Sequence, residues 1–81
     1  MEMPYIVLEV WHKNPDGSQG ICGYVGMPEK DRWPLVADKK KARPCTSDIL
    51  ADATASQYLS YLRHTQPSRI NTTSIRRVIA E

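Results

Sequence analysis

The chain predicts an α+β fold, an antiparallel sheet of three to four strands in ββ(β)αβ order with one amphipathic helix packed on one face. Three observations predict it. A β-forming run over Tyr5–His12 leads through Asn14-Pro15-Asp16-Gly17 into a second extended segment. A helical stripe of apolar residues follows the capping sequence Thr46-Ser47-Asp48. The last segment, Ile70–Glu81, is rich in β-branched residues. At 81 residues the chain is read as one domain, 1–81. A domain of this size buries only about 60–65% of the surface of its unfolded form, so its stability is expected to be modest.

In the first strand, Ile6, Leu8, Val10 and His12 alternate with Tyr5, Val7, Glu9 and Trp11. Both sets carry large apolar side chains, as a central strand requires, and the more apolar first set is placed against the core. Pro15 presets the turn and Gly17 accepts the left-handed conformation after it. The second strand, Gly20–Met27, is expected to place Ile21, Gly23, Val25 and Met27 on one face and Cys22 and Tyr24 on the other. Its glycines at 20, 23 and 26 point to a bulge or a close backbone approach.

Pro28–Pro34 reads as a charged loop, and Trp33–Ala37 as a short strand that Pro34 confines to an edge or a strand start. Asp38-Lys39-Lys40-Lys41-Ala42-Arg43 is then a turn or an exposed extension of that strand, where lysines guard against edge pairing. Pro44 stops helix before it, Thr46 or Ser47 caps, and the helix runs to about His64. Its apolar half holds Leu50, Ala51, Ala55, Tyr58, Leu59, Tyr61 and Leu62, and Pro67 prevents continuation. The final segment fits strand alternation, although Ile75, Val78 and Ile79 also fit a helical patch.

The charge is divided by position. Residues 1–38 hold three cationic and six acidic side chains, a balance of −3, whereas residues 39–81 hold eight and three, a balance of +5. The formal net charge of +2 hides this division. A final strand lying beside the first would put Arg76 or Arg77 near Glu9 and turn part of the asymmetry into internal pairing.

No membrane partner is expected, because the longest apolar run, Tyr5–Val10, is far shorter than the roughly 20 residues of a span. Met1–Pro4 lacks the features of a secretory signal, so a cytoplasmic location and reduced Cys22 and Cys45 are expected. His12, Cys22, Cys45 and His64 have no paired ligand spacing, so no metal or other cofactor is assigned. Cys45, just before a helix N-terminus, is at the better position for a nucleophile, and Cys22, inside a strand, reads as structural. The glycines match no phosphate loop and the carboxylates are scattered, so catalysis is not expected.

What is left is binding. The expected function is a small non-enzymatic protein-binding module. The accessory proteins of phages and other mobile elements, which block a host nucleic-acid-handling complex by occupying its surface, have this size and character. Trp11 and Trp33 are the aromatic contact candidates, and Lys39, Lys40, Lys41, Arg43 and Arg69 the basic ones. The alternative is a small DNA- or RNA-binding protein that grips phosphates with the 39–43 run. A sheet with a helix on one side only leaves its other face for a protein partner or a second copy of the chain, so a homodimer through that face is compatible with the pattern.

Overall fold

The computed structural model describes residues 4–30 and 32–80; expectations that touch residues 1–3, Asp31 and Glu81 lie outside the described residues. The strands are β1 (Tyr5–Lys13), β2 (Gln19–Val25), β3 (Leu35–Val36) and β4 (Thr73–Ala80), and one long helix, α1, spans Asp48–Thr65. All pairings are antiparallel in the order β3-β2-β1-β4, so the doubly apolar first strand is central. The final segment is a strand beside β1, with Glu9 opposite Arg76 and Val10 opposite Ile75. A 3-10 turn at Pro67–Thr72 delivers the chain from α1 to β4.

Strict alternation fails in β2. Val10 pairs with Gly23 and Trp11 with Ile21, which leaves Cys22 as the extra residue of a bulge. The bulge therefore puts Ile21 on the face of Trp11 and Tyr24, not on the face of Val25 as the sequence pattern predicts. Gly23 makes it feasible. Its φ is +149°, and a Cβ there would lie 2.9 Å from the Val36 carbonyl oxygen. Gly26, just beyond the strand, is crowded in the same way, with a Cβ there 3.1 Å from the Pro34 carbonyl oxygen, whereas Gly20 has open space around it.

Beyond the paired stretch, β1 and β2 diverge and the segment 42–45 enters between them. Arg43 N–H donates to the Val25 carbonyl at 2.9 Å, while Ile6 and Cys45 exchange two backbone hydrogen bonds at 2.8 Å each. Ala42 and Cys45 are buried by this insertion. The sequence pattern makes Ala42 and Arg43 the end of a turn or exposed strand extension and Pro44 and Cys45 a helix entry; instead Ala42 is buried and the segment completes the sheet's hydrogen bonding at that end.

Helix α1 begins where the capping sequence places it, with Ser47 Oγ accepting from Leu50 N–H at 3.1 Å. Its buried residues are Ala51, Thr54, Tyr58 and Leu62, which recur at helical spacing. Thr54 is the addition to the expected stripe, and its hydroxyl accepts from Cys45 Sγ at 3.8 Å. Ala51, Tyr58 and Leu62 form the main core with Leu8, Val10, Val25 and Cys45, and Ile6, Trp33, Leu50 and Ile75 pack on it. Arg77 of β4 ties the helix to the sheet edge by pairing with both Asp48 and Asp52. The expected pairing of charge across the sheet is thus real but differently arranged. Arg76 is opposite Glu9, while the ion pairs are made by Arg77 to the helix.

Candidate functional site

The helix-free sheet face is the first candidate surface. Val7 lies at its centre, fully buried, and forms a second small cluster with Ala42 and Ala80. Tyr5, Tyr24, Val36 and Val78 cover that cluster and are themselves only partly buried. Among the described residues no side chain of α1 belongs to this cluster, and its own side chains shield one another.

Trp11 sits toward the turn end of the same face, held in a polar frame. Its indole Nε1–H donates to Glu9 Oε1 at 3.0 Å, and the Arg76 guanidinium lies 4.3 Å from a Trp11 ring centroid. Arg76 in turn donates to Gln19 Oε1 at 2.9 Å. Ile21, brought to this face by the bulge, is 48% exposed beside Trp11. Tyr5, Trp11, Tyr24, Ile21 and Arg76 therefore share one side of the sheet. Trp11 came from sequence; Arg76 and Ile21 did not. Alternation in β4 could have pointed to Arg76, but the bulge conceals Ile21.

Trp33 is placed elsewhere. It packs against the main core on the helix side, with the Arg43 guanidinium 5.5 Å from a ring centroid. Trp33 is half-buried at the margin of the core, so only part of its ring is open to a partner. Lys39–Lys41 form a 3-10 turn that Asp38 caps by accepting from Lys40 N–H at 2.9 Å. Lys40 and Lys41 are exposed, whereas Lys39 and Arg43 are partly buried.

Arg69 belongs to the opposite end of the sheet. Arg43 hydrogen-bonds at the Val25 and Ile6 end, while Arg69 lies in the turn just before Thr73, which pairs with His12. The six-residue span from Ile6 to His12 corresponds to about 20 Å of extended strand. Arg69 is therefore not an addition to the 39–43 run. With residues 12–15 of the β1–β2 turn, Ser68, Arg69, Asn71 and Thr72 instead line a cleft of about 530 Å³. His12 Nδ1 is buried beside it without a hydrogen-bond partner among the described residues.

The burial of the two cysteines differs from the sequence reading of Cys22 as the structural one. Cys45, at the helix start, is fully buried and its thiol donates to the Arg43 carbonyl and to Thr54, each at 3.8 Å. Cys22 is exposed, because the bulge turns it out of the regular strand. Both are free thiols. Among the described residues, no three His, Cys, Asp or Glu side chains gather as a metal site would require, and no helix is long and apolar enough to cross a membrane. No protein-family model matches the chain, and no curated protein or solved structure is similar to it.

Proposed function

We propose that the protein is a non-enzymatic protein-binding module whose contact surface is the helix-free sheet face. The observation that carries this reading is the grouping of Trp11, Ile21 and Arg76 with Tyr5 and Tyr24 on one face that no helix covers. Trp, Tyr and Arg are the side chains enriched at binding hot spots, and a half-exposed isoleucine beside them adds apolar area for a partner to desolvate. The narrower form of the proposal is that the chain acts as an accessory protein of a phage or other mobile element and blocks a host nucleic-acid-handling complex by occupying its surface.

Affinity capture from native cells tests it. Wild-type bait is expected to recover a protein that survives nuclease treatment, and Trp11→Ala is expected to lose it while keeping a native circular-dichroism melt. Lys40→Ala with Lys41→Ala is expected to retain it. Recovery that nuclease abolishes, or that Trp11→Ala leaves intact, would overturn the reading. The second reading, nucleic-acid binding, is favoured by the exposure of Lys40 and Lys41 in one turn. It requires an affinity that falls with salt at a log–log slope of about −0.9 per duplex phosphate contacted.

A further inference from the structure

We propose that the cleft between the β1–β2 turn and the 3-10 turn Pro67–Thr72 binds a small phosphorylated organic molecule, with Lys13 and Arg69 holding the phosphoryl group. This site is separate from the sheet face and does not depend on the reading given for it. Its volume, about 530 Å³, falls among those of small-ligand sites and exceeds what one phosphate fills. Lys13 belongs to the β1–β2 wall and Arg69 to the wall formed by the 3-10 turn, His12 adds an imidazole, and no carboxylate lines the cleft among the described residues. Two cationic residues lining one concavity repel each other, and an anion held between them relieves that repulsion. Arginine offers a planar fork matched to phosphoryl oxygens, and the hydroxyl of Ser68 adds a neutral donor.

Both walls are held before any ligand arrives. Asn14 and Ser18 are joined by a backbone bond of 2.8 Å and a side-chain bond of 3.1 Å. Asp16, the acidic residue of that turn, has its carboxylate engaged by the N–H and hydroxyl of Ser18, which holds its pKa below the ordinary carboxylate value. Across the cleft, the hydroxyls of Thr72 and Thr73 donate to the Arg69 carbonyl at 3.1 and 2.7 Å. Arg69 Nη1 donates to Gln66 Oε1 at 2.8 Å, which orients the guanidinium and leaves its remaining donors unengaged among the described residues. Pro15 and the methylene stems of Lys13 and Arg69 supply carbon surface for the organic part of the ligand.

The second observation is His12. A buried ring nitrogen without a partner is uncommon in a native fold, and the residue that carries this one, among the described residues, also lines the cleft.

Amide chemical shifts in the full chain, titrated at low salt, test the proposal. Adenosine 5′-monophosphate is expected to give saturable shifts confined to residues 12–15 and 68–72, inorganic phosphate weaker ones at the same residues, and adenosine none. Lys13→Gln and Arg69→Gln are each expected to weaken the monophosphate about tenfold with otherwise native spectra. Lys40→Ala should leave its affinity unchanged. The proposal fails if neither phosphate nor the monophosphate saturates these residues. It also fails if adenosine shifts them equally, or if the glutamine variants bind as the wild type does.

Discussion

On the helix-covered face, Leu8, Val10 and Val25 meet Tyr58 and Leu62 of α1, and whole side chains are buried from both layers. On the other face Val7 is just as inaccessible, yet its cover consists of Tyr5, Tyr24, Val36 and Val78, each itself partly open to water. One face is closed by an element and the other by side chains lying over a single buried residue. The two kinds of cover have different consequences. A helix fixes its contacts through its backbone, whereas a side-chain cover can repack against a partner without unfolding anything. That is the physical reason for placing recognition on the helix-free face and stability on the other.

Truncation on each side measures this difference most directly. Leu8→Ala is expected to cost about 3 kcal/mol in urea unfolding and Val7→Ala about 2 kcal/mol, the larger figure reflecting a bigger void in a two-layer core. A Val7→Ala cost below about 0.5 kcal/mol would mean that the helix-free face holds no true core.

The hinge between the faces is the bulge. Gly23→Ala meets both an unfavourable φ and the Val36 carbonyl, and is expected to lower stability by about 2 kcal/mol. It should also shift the amide resonances of Ile21 and Trp11, because the bulge sets which face Ile21 occupies. Retention of both stability and those resonances would show that β2 tolerates regular alternation.

The smallest expected effect is at Tyr58. Burial on the helix-covered face pushes its phenol above its ordinary value near 10; nearby Arg69 opposes this, and Cys22 and Tyr61 add to it. The fold thus favours the neutral phenol. Its contribution is complete below the unfolded pKa and is lost as pH rises through that value toward the folded one. Urea midpoints measured at about pH 8 and pH 11 should fall less for Tyr58→Phe than for the wild type. Equal falls would assign the alkaline loss to other groups.

Much of this arrangement was legible in the residues. Two apolar faces on Tyr5–His12 predict a central strand, and β1 is central. Ser47 and Pro67 bracket α1, and Ile75, Arg77 and Ile79 alternate with Arg76, Val78 and Ala80 as a strand demands. These are local features, governed by backbone preference and by the period of the apolar pattern. Of the candidate contact residues, Trp11 lies on the surface proposed for recognition, while Trp33 is drawn into the margin of the core.

Other features depend on residues far apart in the chain. The insertion of 42–45 between β1 and β2, the transfer of Ile21 by one extra residue, and the burial of Cys45 instead of Cys22 all arise from long-range pairing. Arg69 shows the same dependence. In sequence it is one more cation of a basic half, but the register of His12 with Thr73 carries it to the β1–β2 turn, away from the 39–43 run. Composition and periodicity determined the layers and their order, because each element's preference is written in its own residues. Tertiary structure decided which charges and aromatics became neighbours, because strand register, and here a single bulge, sets those distances.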